Sequence, residues 1–350
     1  MNDLAKYKIR GFVYKFISAS LMGGIGAFAR YINAPGDFIS FGRQLVGFIA
    51  LSLMFCFMPG MWKKVRGFRF SPAILMTGIN LGLLSGLYVI STQYTTLANA
   101  SLLIYTGPLF STTLAAIFLK EKINFQRFLC LFSVAVGMLF VVGIITPNGL
   151  TLDLAPEYAT GNLIAFASGV AYGLYLFFSR YRLDAESGVR SWYQFGVAAV
   201  TILLLMVGDS WVNNGLKYTV KVNGVTQFTP EGRVDVEPWN IFTMDTQSWI
   251  VWVAAAIITG FIAFHLLTYA SKMLTAAELA SISYQEVVMA SALGIFMFGE
   301  HMDAFQWIGA VMIVVGGFSQ IFFTTKESNA KGSGVQSSDE SVEAMGAQGA

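Results

Sequence analysis

Glu286 lies near the middle of an apolar stretch, residues 277–300, that is long enough to cross a lipid bilayer. A helix rises about 1.5 Å per residue, so Glu286 would lie ~13 Å deep in a hydrocarbon core of about 30 Å. A carboxylate at that depth is costly, and acids in such positions usually have a function. Three roles stay open for Glu286: binding a cationic or amine group, taking up a coupling proton, or pairing with a neighbouring side chain.

Polar and aromatic side chains recur at helical spacing in other apolar stretches. Residues 98–119 and residues 160–181 each carry four of them, spaced 4, 3 and 4 positions apart, so that each set shares one helix face. Such a stripe is unfavourable against lipid, so we expect it to face inward and line a central cavity with Glu286. Interhelical packing is the alternative, and it is the usual role of any single serine. The candidates for the cavity wall are Asn80, Tyr88, Tyr105, Tyr172, Tyr175 and Ser283.

Three further residues join Glu286 as candidates for coupling or gating. Pro108 removes one backbone hydrogen bond in mid-stretch, which predicts a kink beside the cavity. Arg43, six residues into its stretch, is a candidate partner of Glu286, although we prefer the alternative that it snorkels to the outer surface. His265 could relay protons, or it could be a satisfied packing residue.

The composition is that of a membrane protein with several spans. Of the 350 residues, 55% are hydrophobic and 12% charged, against about 25% charged in soluble domains. The net charge of +2 does not supply the basic face of a nucleic-acid-binding protein. Cys56 and Cys130 both lie in apolar segments, which is typical of buried small residues. The sequence has no metal-spaced cluster, phosphate-binding glycine loop or Ser–His–acid set, so we expect no enzyme activity, cofactor or metal.

The lengths of the apolar segments match the roughly 20 residues that a helix needs to cross a bilayer. If the N-terminus is cytoplasmic, most of the 22 lysines and arginines, Lys15 among them, fall in segments on the inner side. This asymmetry predicts two cytoplasmic termini in a plasma membrane, which in a bacterium is the inner membrane. Residues 1–10 would be a short cytoplasmic tail. The ten predicted spans are residues 11–32, 37–58, 71–94, 98–119, 125–146, 160–181, 190–208, 248–271, 277–299 and 303–324.

Two segments are predicted to lie outside the membrane. Residues 209–247 form a long extracytoplasmic insertion, in which Asn223 and Gly224 separate two runs of alternating polarity. An Asn-Gly pair in that setting predicts a small β-hairpin, with a flexible polar loop as an equal alternative. Residues 325–350 are rich in Ser, Gly and Ala and are predicted to be a disordered cytoplasmic tail.

The chain contains a duplication. Residues 98–121 align with residues 277–300 without a gap, so that Tyr105 matches Tyr284 and Glu121 matches Glu300. We interpret these two glutamates as residues at helix ends. Two more pairs of spans correspond in the same order: spans one and six, with Gly11 matching Gly161 and Arg30 matching Arg180, and spans five and ten, which both open Phe-Gln. Because five is odd, the second unit must enter the membrane from the opposite side. The predicted fold is therefore an all-α integral membrane protein of ten transmembrane helices, arranged as two inverted five-helix repeats at residues 11–146 and 160–324.

These motifs resemble the EamA family of the drug/metabolite transporter superfamily. The resemblance is carried by ASLLIYTGPLFSTTLAAIFLKEKI, its second copy ending FMFGEHM, FFSRYR at the end of span six and FQWIGAVMIVVGG in span ten. It covers about residues 10–325 and implies a carrier of small organic solutes, often an exporter of amino acids, metabolites or drugs. The family often has Glu-Pro where this chain has Glu286 followed by Val287, and the insertion at 209–247 is longer than is usual for the family.

We therefore predict a secondary transporter that exports small organic solutes by alternating access around a midplane cavity. Tyrosines beside one acid favour amino acids or other amine-bearing metabolites as substrates, whereas the direction of transport is implied only by the resemblance. The expected partners are the substrate and membrane lipid, with the protein a monomer or a homodimer. The alternative is a non-transporting membrane receptor or assembly partner that uses the extracytoplasmic hairpin.

Overall fold

The fold is described from a computed structural model. It describes residues 3–32, 34–69, 71–91, 95, 97–121, 124–150, 158–181, 186–212, 221–222, 225–226, 241–299, 301–319 and 322–323. The predicted C-terminal tail, residues 325–350, lies outside these ranges, as does most of the insertion at 209–247.

The structure is built almost entirely of apolar helices. The first half of the chain contains α1 (Asp3–Gly23), α2 (Ile25–Arg30), α3 (Gly36–Phe57), α4 (Met61–Gly67), α5 (Pro72–Ser91), α6 (Leu97–Ile104), α7 (Gly107–Phe118) and α8 (Phe125–Val141). The second half contains α9 (Ala159–Phe178), α10 (Ser187–Val212), α11 (Thr246–Ala255), a π-helical segment (Ala256–Ile262), α12 (Ala263–Met273), α13 (Ala276–Ser283), α14 (Gln285–Phe298) and α15 (Ala304–Ser319).

The described ranges contain eight helical stretches that are long and apolar enough to cross a membrane. This number of long apolar helices agrees with the predicted all-α membrane protein. Two of the ten predicted spans are not among these eight stretches. The fifth, predicted at residues 125–146, ends as helix α8 at Val141, and the tenth corresponds to α15, which is also shorter than the other eight. The end of α8 has a local cause, since Gly143 adopts a left-handed φ of 79° that does not continue a helix.

Two short hairpins interrupt the helical pattern. Residues Ile145–Thr146 (β1) pair antiparallel with Gly149–Leu150 (β2), in a segment that the sequence pattern assigned partly to span five. The turn residues Pro147 and Asn148 could have signalled this hairpin. In the insertion, β3 (Lys221–Val222) pairs antiparallel with β4 (Val225–Thr226), on either side of the predicted Asn-Gly turn.

The N-terminal stretch also differs from its prediction. Helix α1 begins at Asp3, so most of the predicted cytoplasmic tail belongs to the first helix. Together with α2, this helix forms a candidate span over Asp3–Ala29. The midpoint of this candidate span therefore falls close to Lys15, whereas the midpoint of the predicted span, residues 11–32, falls at Leu21 and Met22.

Two spans are interrupted at repeat-related positions. The span of α6 and α7 is interrupted at Tyr105 and Thr106, and the span of α13 and α14 is interrupted at Tyr284. Pro108 stands in the first turn of α7, where a proline is tolerated. No proline follows Glu286, yet the second interruption forms. The buried Tyr284 at this break donates its hydroxyl to the backbone carbonyl of Tyr105 at 2.8 Å. Tertiary packing, rather than a proline, accompanies this break.

Helices of the first half pack mainly on helices of the second half. Helix α1 packs against α12 and α14, whereas α9 packs against α5, α6 and α7. Helix α3 lies between α10 and the π-helical segment. Glycines allow the backbones to approach closely, as where Gly107 of α7 would place a Cβ 2.7 Å from the carbonyl oxygen of Gly169 in α9. This packing brings the middles of several spans together.

Candidate functional site

Glu286 lies in the first turn of α14, at the middle of the span Ala276–Phe298. Its side chain is partly buried. It interacts electrostatically with Lys15 of α1 and with Arg43 of α3. Two cations from two other spans therefore lie within electrostatic range of Glu286. We call this set the charge cluster.

Lys15 is a member of the charge cluster that the sequence pattern missed. The pattern counted it with the basic residues on the cytoplasmic side, but its side chain is 0% exposed. Among the described residues, its Nζ has no hydrogen-bond partner. The apolar run on both sides of Lys15 was the available signal, and it was hidden because the first span was placed too far along the chain.

Arg43 is held inside the bundle rather than at its surface. Its Nη2 donates a hydrogen bond to the carbonyl of Thr259 at 2.9 Å, and its guanidinium lies 5.4 Å from the centre of the Phe264 ring. Thr259 belongs to the π-helical segment, a type of irregularity that is frequent at functional sites. Gly260 in the same segment packs directly on the Arg43 backbone. The preferred expectation of snorkelling is therefore wrong, because a carbonyl and an aromatic face solvate this cation inside the protein.

Three of the predicted tyrosines lie within electrostatic range of Glu286. Glu286 interacts electrostatically with Tyr88, Tyr105 and Tyr172, which come from α5, the α6–α7 interruption and α9. The Tyr88 hydroxyl lies 3.3 Å from the Ser101 hydroxyl. The Tyr105 ring lies 5.9 Å from that of Tyr284, its repeat counterpart. Spans from both halves of the chain thus contribute to one polar region.

Asn80, Ser283 and His265 each have a hydrogen-bond partner outside the charge cluster. Asn80 donates to the carbonyl of Met76 at 2.7 Å, and Ser283 donates to that of Leu279 at 2.8 Å. The Nδ1 of His265 lies 3.0 Å from the Ser191 hydroxyl. Each of these contacts fits the packing alternative, although Ser283 also lies beside Tyr172.

Tyr175 and Pro108 flank the charge cluster. Tyr175 lies less than one helical turn beyond Tyr172, is buried, and meets the ring of Phe264 edge-on at 6.3 Å. Since Phe264 also contacts the Arg43 guanidinium, Tyr175 belongs to the same packed layer. Pro108 is buried at the start of α7, next to the interruption at Tyr105.

A second set of charged contacts, which we call the inner latch, lies where several helices end. Arg180 bonds the Glu121 carboxylate at 3.1 Å and the carbonyl of Ser271 at 2.6 Å. The other oxygen of Glu121 accepts from the backbone N–H of Ala276 at 3.0 Å. These contacts join the ends of α7 and α9 to the α12–α13 connection.

Lys8 and Glu278 belong to the same latch. Lys8 pairs with Glu278 at 2.8 Å, and Glu278 is 0% exposed. Glu278 also completes a capping box with Thr275 at the start of α13. The first helix is therefore tied to α13 by a buried carboxylate.

The family model that matches this chain is the EamA-like transporter family, over residues 9–143 and 235–319. The two matched segments together make up more than half of the chain. The chain belongs to the EamA-like transporter family. This confirms the resemblance read from the span motifs, and it places the protein among multi-pass membrane transporters of small solutes.

The chain is also similar to individual proteins at low sequence identity. The chain is 24% identical to an uncharacterized transporter of Archaeoglobus fulgidus over 303 residues, covering 86% of this chain and 92% of that protein. It is 22% identical to the uncharacterized transporter YyaM of Bacillus subtilis over 233 residues, covering 66% and 67% of the two chains. A solved crystal structure with 19% identity superposes with a TM-score of 0.66 over 88% of this chain and 95% of that chain, a likeness of fold.

Proposed function

We propose that this EamA-like protein is a secondary transporter that exports amino acids or other amine-bearing metabolites. The observation that carries the proposal is Glu286, an acid at the middle of a span and at the interruption of its helix, with Tyr88, Tyr105 and Tyr172 within electrostatic range. A carboxylate and aromatic faces together bind an ammonium group well. Interrupted helices at the bilayer midplane are a recurring feature of substrate sites in secondary transporters.

The proposed mechanism is alternating access between two inverted five-helix repeats. The packing of α1 on α12 and α14 corresponds, under the repeat alignment, to the packing of α9 on α5 and on α6 with α7. Such a correspondence is what two inverted repeats would produce, and it supports rocking of one half against the other around a fixed site. Both termini would be cytoplasmic in a plasma membrane, with the inner latch on the cytoplasmic side.

The test is counterflow of labelled solutes in proteoliposomes. Unlabelled amino acids and amines are loaded inside in turn, and uptake of the labelled counterpart is measured for wild type and for Glu286→Gln. We expect wild type to accumulate label and Glu286→Gln to fall to the level of empty liposomes, because the amide keeps the size of the side chain but removes its charge. The matched control is Glu186→Gln, which changes an exposed acid paired with Lys64 and should keep full flux.

Two results would count against the proposal. Full transport by Glu286→Gln would remove Glu286 from the mechanism. Failure of the correctly inserted wild type to accumulate any solute in the set would contradict the transport function itself and favour the receptor alternative.

A further inference from the structure

The charge cluster contains two cations and one acid, so its net charge is positive. Lys15 and Arg43 both interact electrostatically with Glu286, and one carboxylate balances only one of these two positive charges. An unbalanced charge in an apolar interior is costly, because water is not there to solvate it. A solute that brought a further positive charge alone would increase this imbalance.

Of the two cations, Lys15 lacks more hydrogen-bond partners. Its side chain is fully buried, and within the described ranges its Nζ has no hydrogen-bond acceptor. The ammonium is near enough to Glu286 to interact with it, yet the two groups form no hydrogen bond. Buried polar groups in proteins are nearly always paired, and a ligand that supplies acceptor oxygens would pair the three N–H donors of this ammonium.

Arg43 also has a hydrogen-bond donor that no described residue accepts. Its Nη2 is bonded to Thr259, but its Nε is buried without a partner among the residues that the structure describes. A guanidinium presents its donors in a planar fork that matches the two oxygens of a carboxylate. One ammonium and one guanidinium, each with an unpaired donor among the described residues, therefore interact with the same acid.

The interrupted helices add to this preference for an anion. Helix α14 begins at Gln285 and helix α7 at Gly107, whose repeat counterpart is Glu286. Each helix is longer than two turns and begins at the middle of a span, so the positive end of its dipole lies there. In transporters with such half-helices, these positive ends point toward the anionic group of the substrate.

We infer that the transported solute carries a carboxylate and that Lys15, together with Arg43, binds it. This inference rests on the proposed function and narrows it. Within the amine-bearing class, it selects zwitterionic amino acids, with the ammonium at Glu286 and its tyrosines and the carboxylate at Lys15. Simple amines and quaternary amines that lack an anionic group are excluded, because they would add a positive charge to a site that already carries one in excess.

The experiment compares solutes that share one carbon skeleton. For leucine, threonine, phenylalanine and glutamine, counterflow by wild type is measured with the amino acid, its carboxamide and its decarboxylated amine as competitors. We expect at least one amino acid to compete, and its carboxamide and amine to compete at least tenfold more weakly. A carboxamide or amine that competes as well as its amino acid would overturn the inference, while transport itself would still stand.

Variants at Lys15 provide a second readout. Lys15→Gln should lower flux of the amino acid and abolish the preference over its carboxamide, whereas Lys15→Arg should keep part of that preference. Lys63→Gln, which changes an exposed lysine in α4, is the matched control and should keep both flux and preference. Unchanged preference in Lys15→Gln would show a structural role and overturn the inference.

The outcomes for transport and for substrate class stay separate. Absence of flux for every solute, with wild type correctly inserted, would contradict the proposed function and this inference together. Flux of amines alone would overturn the inference and leave the proposed function intact. If Lys15→Gln fails to insert into the membrane, the competition series on wild type still tests whether the solute must carry a carboxylate.

Discussion

Arg43 illustrates how a charged side chain is kept inside an apolar bundle. Its guanidinium donates to the Thr259 carbonyl and lies against the Phe264 ring, so protein groups replace the water it has lost. The carbonyl comes from a π-helical segment rather than a regular helix. A single irregular turn in span eight thus helps to fix the direction of a cation that belongs to span two.

Two substitutions of Arg43 should distinguish the contribution of its charge to flux from the contribution of its planar shape. Arg43→Lys keeps the charge but loses the planar fork, so we expect an intermediate flux, whereas Arg43→Gln should lose more. Hydrogen bonds to charged groups contribute about 1.5–3 kcal/mol, which corresponds to roughly a tenfold to hundredfold loss of flux for Arg43→Gln. The measurement is counterflow at equal inserted protein, with the exposed Arg66→Gln as the control. Equal flux in Arg43→Lys and wild type would show that the fork geometry does not matter.

At the scale of the element, the helix interruptions decide where polar groups can lie. Tyr105 and Tyr284 interrupt two spans at matching positions and contact each other through a hydroxyl-to-carbonyl bond of 2.8 Å. Glu286 follows the second interruption directly, so it stands in the first turn of α14. The position of Glu286 depends further on α1, since Gly23 packs against the carbonyl oxygen of Glu286.

A methyl group at Gly23 should disturb this contact. The nearest atom to an added Cβ would be the backbone oxygen of Glu286, which cannot rotate away, so Gly23→Ala must push α1 from α14. Overpacking of this kind costs about 1–3 kcal/mol. We expect a lower melting temperature in detergent and reduced counterflow.

Gly26 provides the matched control for this prediction. It lies three residues further along the chain, and an added Cβ there meets nothing within 4 Å. Gly26→Ala should therefore keep both the melting temperature and the flux of wild type. Equal melting temperatures for the two alanine variants would mean that α1 and α14 are not in close contact at Gly23.

At the scale of the whole molecule, the inner latch ties the two halves together. Arg180, Glu121 and Ser271 link helices from both halves, and Lys8 adds the first helix through Glu278. The repeat alignment matches Arg180 with Arg30 and Glu121 with Glu300. Glu300 and the Arg30 side chain lie outside the described part of the chain.

Removal of the inner latch should expose residues behind it. In a background with Cys56→Ser and Cys130→Ala, Ser271→Cys reports on the latch, because the Ser271 side chain is 1% exposed and its carbonyl accepts from Arg180. We expect Arg180→Gln to raise labelling of this cysteine by a membrane-impermeant thiol reagent severalfold, since the charged contacts that close this end are lost. Labelling is measured in inside-out and right-side-out vesicles.

The Lys64 and Glu186 pair is the control for the latch. This pair is largely exposed, and exposed pairs contribute about 0–1 kcal/mol. Lys64→Gln should therefore leave labelling of Ser271→Cys at its starting level. If Arg180→Gln also leaves it there, the inner latch does not hold this end closed.

Hydropathy and repetition determined the class of the protein from the sequence alone. Long apolar runs must form helices in a membrane, because every backbone polar group needs a partner there. The matching motifs in the two halves, including Tyr105 with Tyr284, identified the family that the later comparison confirmed. These features are local or repeat at a constant separation, so they can be read without tertiary structure.

The neighbours of each candidate site residue were decided only in three dimensions. Sequence spacing grouped Asn80 and Ser283 with Tyr88 and Tyr105 as candidates for the cavity wall. Spacing predicts which residues share a helix face, but it does not predict the hydrogen-bond partner of each side chain. The structure bonds Asn80 and Ser283 to their own helices, and it brings Lys15 from a supposed cytoplasmic flank to Glu286. A lysine is placed by the start and tilt of its helix and by the neighbours packed around it, and those are set by contacts between distant parts of the chain.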